Sequence, residues 1–387
     1  MSEWEIFDEN LGNAKIKVFG VGGGGGNAVK HMIDQKIEGA DFISINTDKQ
    51  ALDNNPSPQK LILGENITNG MGAGADPEIG RLAALEDRER LKELIKGADM
   101  VFIASGMGGG TGTGASPIVA QVAKELGALT VAIVTKPFSL EGKRKMSLAQ
   151  EGINQMVEEV DSLITIPNQK LLEVLGKGCT MVDGFKAAND VLAGAVRGIS
   201  DIIIKPGMIN VDFADVKTVM SEKGIAMMGT GSASGPNRAM EAAEQAMGSK
   251  LLEDIDLKDA KGILLNITAG ENLTIEEFEI VGNCVQQYAS EEAIIVPGTV
   301  IDEASGDTLT VTVVATGLAS KKEKQNATTN KINFLETKRE LPLSSASKQI
   351  IENPPNIEML KQLKGNQSQE LEEELLDIPS FMRSQID

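Results

Sequence analysis

Of 387 residues only two are cysteine, Cys179 and Cys284, and one is histidine, His31. The thiols lie far apart, with no C-x-x-C or histidine spacing, so neither a disulfide scaffold nor a zinc site is indicated; both are expected in the interior. Aromatic residues make up 3% of the chain, which leaves aliphatic side chains and close backbone contacts to do most of the packing. There is no run of about 18 consecutive apolar residues. The start Met1-Ser2-Glu3-Trp4-Glu5 shows no basic segment leading into an apolar one, so membrane spanning and export are both unsupported and the expected compartment is cytoplasmic. Positive charge is also short: 37 Lys and Arg against 56 Asp and Glu leave a formal charge of -19. That balance disfavours partners held by neutralising phosphates along a duplex. It does not disfavour a single small anion held by backbone N–H groups, a helix N-terminus and a cation. No G-x-x-x-x-G-K-[ST] occurs, so a P-loop with its lysine is excluded.

What the chain has in excess is glycine, 41 residues of it, and its placement carries the argument. An apolar stretch, Lys15 to Phe19, ends in the run Gly22 to Gly26, and Asn27 to Ile33 has helical spacing, which reads as strand, tight loop, helix. Phe42 to Ile45 is a second strand ending at Asn46-Thr47-Asp48, and Met100 to Ala104 a third that runs into Gly106 to Gly114. A helix from about Pro117 to Leu126 and a strand from Thr130 to Val134 follow, so the pattern is that of a parallel, doubly wound α/β sheet. Met181 to Ile204 reads as a long central helix. Helix and strand then alternate, with 236–247 and 274–288 helical and 262–268, 293–301 and 309–316 extended, as in a second, smaller α/β domain. Beyond Leu318 the sequence is polar and reads as a disordered linker, closed by an acidic stretch and Asp377-Ile378-Pro379-Ser380-Phe381-Met382-Arg383.

Gly20-x-Gly22-x-x-Gly25 satisfies the dinucleotide fingerprint, with Asp48 near the distance of a ribose-binding acid. Alone it is weak, and a turn packing a helix on a sheet would also contain glycine. Five consecutive glycines, however, cost backbone entropy at each position, and a mere turn needs one or two. Gly106 to Gly114 is more specific, because glycines alternating with Thr111 and Thr113 offer a concave set of N–H groups and hydroxyls able to reach phosphate or a metal-bound water.

The loop Gly108-Gly109-Gly110-Thr111-Gly112-Thr113-Gly114 resembles the signature of the tubulin/FtsZ superfamily of GTPases. With Gly22 to Asn27, Gly72-Ala73-Gly74-Ala75 and Asn210-Val211-Asp212-Phe213-Ala214-Asp215, the chain is similar to the bacterial cell-division FtsZ family along roughly residues 12 to 318. The resemblance implies a tubulin-like fold: a Rossmann-like GTP-binding domain at 12–180, a central helix at 181–205 and an activation and polymerisation domain at 206–318. Around these come a flexible segment 1–11, a linker 319–370 and a partner-binding peptide 371–387. It also implies that Gly23, Gly24, Gly25, Gly26 and Asn27 and Gly110, Thr111 and Gly112 surround the GTP phosphates, with Gly72, Ala73, Gly74, Ala75, Gly108, Gly109 and Thr113 also GTP-binding. Glu141 would contact the ribose, Phe185 and Asn189 the guanine, and Asp190 would lie beside the base. The family's Glu-Gly-x-x-Arg pattern is broken here, since the chain reads Glu141-Gly142-Lys143-Arg144-Lys145. Either Lys145 supplies a point charge or Arg144 turns inward.

Asp212 and Asp215 admit two readings. Asp212 is an ordinary N-cap candidate, with Asp215 in the first helical turn. By the resemblance, the loop instead completes the neighbouring subunit's site: Asp212 and Asp215 polarise the water attacking the γ-phosphate, Asn210 assists, and Mg²⁺, held through the phosphates without confident protein ligands, offsets charge. Assembly would then be head to tail and open-ended. The final peptide, Asp377, Ile378, Pro379, Phe381, Met382 and Arg383, reads as a frayed tail or as a docking segment; its similarity to the family tail implies binding to membrane-anchoring division partners such as FtsA, with assembly at mid-cell. His31 reads as a surface or interface residue. The competing expectations are a tubulin-like filament with another cargo, such as plasmid DNA, and an NAD-type oxidoreductase, for which His31 would be the one histidine acid.

Overall fold

The computed structural model describes residues 14–318 apart from 177, 206, 210, 223, 253–257 and 259. The expected N-terminal segment, linker and docking peptide, and Asn210, lie outside the described residues.

One sheet of ten strands runs through this part of the chain, in the order β3-β2-β1-β4-β5-β6-β7-β10-β8-β9. Its parallel part comprises β1 (Ile16–Val21), β2 (Ala40–Asn46), β3 (Gln59–Ile62), β4 (Met100–Gly106), β5 (Leu129–Lys136) and β6 (Ser162–Pro167). These strands read as nearly continuous apolar runs because both faces are covered. In β4, Met100, Phe102 and Ala104 enter one core while Val101 and Ile103 enter the other. The remaining strands are β7 (Ile225–Ser234), β8 (Gly262–Ala269), β9 (Ile294–Ile301) and β10 (Thr308–Leu318), with β10 antiparallel to both β7 and β8. The two halves join through Leu163 opposite Ile225 and Ile164 opposite Ala226. The second half expected from sequence thus continues the first sheet rather than forming a separate one.

The helices are α1 (Gly22–Asp34), α2 (Lys49–Asp53), α3 (Glu65–Thr68), α4 (Pro77–Glu86), α5 (Arg88–Ile95), α6 (Gly110–Glu125), α7 (Lys143–Glu159), α8 (Asn168–Leu175), α9 (Met181–Ile204), α10 (Phe213–Met220), α11 (Arg238–Met247) and α12 (Ile275–Tyr288). The expectation that the glycine runs form loops is corrected here. Gly22 to Gly26 opens α1 and Gly110 to Gly114 opens α6, so the glycines are helix N-termini. Helix is tolerated at such positions because the backbones press together: a Cβ on Gly25 would overlap the Ala104 carbonyl oxygen, and one on Gly114 the Pro77 carbonyl oxygen. Any side chain would lift the helix off its neighbour.

α9 begins with a reciprocal cap, Thr180 Oγ1 accepting from Asp183 N at 3.2 Å while Thr180 N donates to Asp183 Oδ2 at 2.9 Å. Leu192, Val196 and Ile199 are buried against the parallel sheet. On the side of the later strands, Asn266 Nδ2 donates to Gly198 O at 2.9 Å. α11 and α12 pack on a third core from β7, β8 and β10. There Arg238, nearly buried, forks onto Glu277 (2.6 and 3.0 Å) and donates to the carbonyls of Asp307 and Asn272. The Arg238 guanidinium, with the Thr274 cap, holds the Glu277 carboxyl below its ordinary range.

Cys284 is buried and burial pushes its thiol up, whereas Cys179, next to the α9 cap, is only partly covered. The expectation of two interior thiols therefore holds for one of them. Among the described residues no helix is long and apolar enough to cross a membrane.

Candidate active site

The first turns of α1 and α6 end at a common cavity of about 380 Å³. Neither helix has an acidic residue in its first turn or a side chain capping its N-terminus, so the orphan N–H groups there are free to meet an anion. Gly23, Gly24 and Asn27 line the cavity from α1, and Gly109, Gly110, Thr111 and Gly112 from the start of α6. The opposite wall comes from Glu141 and Lys145, and from Phe185 and Asn189 on α9. Phe185 meets Phe138 edge to face, with centroids 5.2 Å apart and planes at 89°, and is 45% exposed. It thus offers a ring face to a planar ligand.

The two residues left open at the Glu-Gly-x-x-Arg position stand differently towards the cavity. Lys145 lines the cavity and donates to Glu141 Oε2 at 2.7 Å, while Arg144 is exposed and does not line it. Glu141 is itself fixed by Phe138 N, which donates to Oε1 at 2.8 Å.

Other expected residues are engaged by partners within the chain. Gly25 packs against β4. Thr113 Oγ1 accepts from Gly108 N at 2.8 Å, shaping the turn that precedes α6 rather than facing the cavity, and Thr111 Oγ1 shares a 2.6 Å hydrogen bond with Thr47 Oγ1. The reach of both hydroxyls to a ligand, expected from the sequence, is therefore restricted by partners within the chain. Gly72, Gly74 and Ala75 have positive φ, and the Ala73 turn abuts Gly110, so 72–75 supports the α6 N-terminus. Gly26 lines a smaller cavity of about 290 Å³, together with Asn27, Asn46 and Asn55. Asp190 points away from the base wall to α1, where His31 Nε2 lies 2.6 Å from Asp190 Oδ1 and Gln35 Nε2 donates to the same oxygen at 3.0 Å. His31 is accordingly an interhelix residue.

Sequence reasoning missed Asn168. It sits at the first position of α8, 5% exposed, lines the cavity, and its Oδ1 has no hydrogen-bond partner among the described residues. A buried amide oxygen without a partner is costly unless a ligand or water satisfies it. The one signal was a Pro-Asn pair at the end of an apolar run. Lys136, next to the cavity residue Thr135 on β5, has its ammonium pulled below the ordinary range by burial.

Asp212 and Asp215 are both exposed and lie beyond the C-terminal end of α9. At ~1.5 Å per residue, about 22 Å of helix separates Asn189 from Ile204. Asp212 occupies the N-cap position of α10, but its side chain makes no capping hydrogen bond. Asp215 lies in the first turn of the same helix, where the helix dipole favours its charge. Among the described residues no group of three or more His, Cys, Asp or Glu could hold a metal ion.

Comparison with known proteins agrees with this geometry. The family profile described as "Tubulin/FtsZ family, GTPase domain" matches residues 15–176, and "FtsZ family, C-terminal domain" matches residues 224–319. The cell division protein FtsZ of Pseudomonas aeruginosa is 62% identical over 321 residues, covering 83% of this chain and 82% of that one. The protein of that name from Buchnera aphidicola subsp. Schizaphis graminum is 54% identical over 380 residues, 97% of this chain and 98% of its own. Among solved structures, an empty FtsZ dimer from M. jannaschii superposes with a TM-score of 0.77 at 42% identity, over 81% of this chain and 90% of that one. The chain thus belongs to the FtsZ family of tubulin-like GTPases that form the filaments of cell division.

Proposed function

We propose that this GTPase completes its active site only between subunits stacked head to tail. The observation that carries the reading is the exposure of Asp212, whose side chain makes no capping bond, and of Asp215, both beyond about 22 Å of helix from Asn189 at their own cavity. In a head-to-tail contact they face the γ-phosphate bound by the next subunit, and the solved FtsZ dimer of M. jannaschii is a precedent for self-association.

In the bound state the N–H groups opening α1 and α6 cradle the phosphates. Lys145 lends a positive charge and, through Glu141, orders the ribose side. Phe185, Asn189 and Asn168 surround the base. The neighbour's Asp212 and Asp215 orient the attacking water and accept its proton as its oxygen bonds to the γ-phosphorus and the bond to the β,γ-bridging oxygen breaks, releasing GDP and phosphate, with Asn210 assisting. A Mg²⁺ ion would take the phosphate oxygens and water as its ligands and would offset phosphate charge. The same reading divides the chain into a GTP-binding domain at 12–180, a helix at 181–205 and a polymerisation domain at 206–318. The peptide from Asp377 to Arg383 serves as the docking segment for an FtsA-like anchor that brings filaments to mid-cell.

The test is light scattering and phosphate release measured together, with GTP, GDP, ATP and NAD in turn, across a range of protein concentrations. Both signals are expected with GTP alone, above a common concentration threshold. Release per subunit that does not depend on concentration would mean a self-contained site.

A further inference from the structure

The segment between α9 and α10 carries Asp212, yet most of it has no secondary structure to hold it. What holds it is β9, the edge strand of the sheet. Thr299 Oγ1 accepts from Ile209 N at 2.9 Å, and Thr299 N donates to Ile209 O at 3.3 Å. The loop therefore occupies the free edge of β9 as a further strand would, satisfying backbone groups that would otherwise face solvent. The fit is close at two more points. A Cβ on Gly207 would overlap the Thr299 carbonyl oxygen, and a Cβ on Gly298 would stand 3.0 Å from Val211 Cγ2. Thr299 and Val211 are both buried. Three residues beyond Ile209, the Asp212 carbonyl accepts from Asp215 N at 3.0 Å and Val216 N at 3.2 Å, starting α10. Asp212 is thus suspended between two fixed points, the Thr299 clasp and the first turn of α10.

We infer that Thr299 is a positioning residue for hydrolysis: its hydroxyl, by clasping the Ile209 amide, sets where Asp212 and Asp215 stand in the neighbouring subunit's site. The inference rests on the intersubunit reading above. Buried and on the far side of α9 from the nucleotide cavity, Thr299 touches no substrate of its own subunit. Its loss leaves GTP binding intact and misplaces the carboxylates, and in-line attack tolerates little misplacement, since errors near 1 Å cost up to about a hundredfold in rate.

The experiment compares Thr299→Val, which keeps the shape and removes the hydroxyl, with Thr299→Ser, which restores it. Phosphate release is normalised to sedimented subunits, and GTP affinity is measured by calorimetry. The valine variant is expected to bind GTP as the parent does, with KM unchanged and kcat per assembled subunit lowered about tenfold. The serine variant is expected to return within about twofold of the parent. A valine variant with parental kcat per assembled subunit overturns the inference, as does a serine variant no better than valine. If valine prevents folding, Thr299→Cys, close in size to serine but a weak acceptor, takes its place: a rate well below that of serine supports the clasp, and equal rates sink it. Asp212→Ala runs beside these. Parental turnover in Asp212→Ala removes the intersubunit reading itself, whereas an inactive Asp212→Ala beside a fully active Thr299→Val removes this inference alone.

Discussion

The two ends of α9 are built to opposite plans. At its N-terminal end the helix is capped within the chain, and Phe185 and Asn189 face a cavity whose other walls are contributed by α1, α6 and the Glu141 turn of the same subunit. Beyond its C-terminal end Asp212 and Asp215 face solvent at the start of α10, and the loop leading to them is clasped to β9 at Ile209. The first end is finished and the second is not. On the proposed reading a single helix carries a binding half that works in its own subunit and a hydrolytic half that works outside it, and stacking copies brings unlike ends together. Binding and turnover are consequently separable by mutation, one at each end.

The sharpest break falls at the second end. Asp212→Ala or Asp215→Ala is expected to lower turnover per assembled subunit by roughly a hundredfold or more, the scale of losing one preorganised electrostatic group. GTP affinity, read by calorimetry, is expected to stay within about twofold, because neither side chain touches its own cavity. A matching fall in affinity would erase the distinction between the two ends.

At the first end the sign of the split reverses. Phe185→Ala removes both the ring face offered to the base and the edge contact with Phe138. Such aromatic contacts contribute about 0.5–1.5 kcal/mol beyond area, so GTP affinity should fall about tenfold. At saturating GTP, kcat per assembled subunit should be parental, and a reduced kcat would show that the base wall also sets the reacting geometry.

The legibility of these two ends in the sequence differed for physical reasons. α9 and the strands β1, β2, β4 and β5 could be traced because their apolar periodicity is local, and the glycine runs because nothing else tolerates such close backbone approach. The same glycines misled on conformation: a run that reads as loop became helix once β4 and α4 pressed against it, a tertiary effect that composition does not carry. Asn168 was missed because a single buried amide has no spacing signature. Thr299 was missed because it sits in an ordinary strand and its partner, Ile209, is 90 residues away. The junction of the two sheet halves rests on two residue pairs, too few to leave a pattern.

A smaller effect lies where the first end is tied to α1. His31 Nε2 and Gln35 Nε2 both reach Asp190 Oδ1, and Arg197 donates to Gln35 Oε1 at 3.1 Å. The Asp190 side chain is 47% exposed, so solvent screening limits the pair to about 0.5 kcal/mol. His31→Ala is accordingly expected to weaken GTP binding about twofold through slack between α1 and α9, with turnover per assembled subunit unchanged. Calorimetry showing a tenfold loss would promote His31 to the nucleotide wall itself.

The smallest effect concerns Asp201, in the last turn of α9 beside the loop that carries Asp212. Burial raises its carboxyl above the ordinary range, against the opposing pull of Lys205, whose Nζ is 3.0 Å from Oδ2. The negative end of the helix dipole acts in the same direction as burial. Between the ordinary carboxyl range and this raised one, the folded chain binds a proton that the unfolded chain has released. Stability from this group is therefore present at the acidic side and lost as pH rises through the folded value. Asp201→Asn removes the titration, so its urea midpoint should vary less than the parent's over that window and should not fall below it at neutral pH. A variant less stable at neutral pH would mean that the ion pair with Lys205 outweighs the burial of the charge, and that the unfinished end of α9 is braced by electrostatics as well as by the β9 clasp.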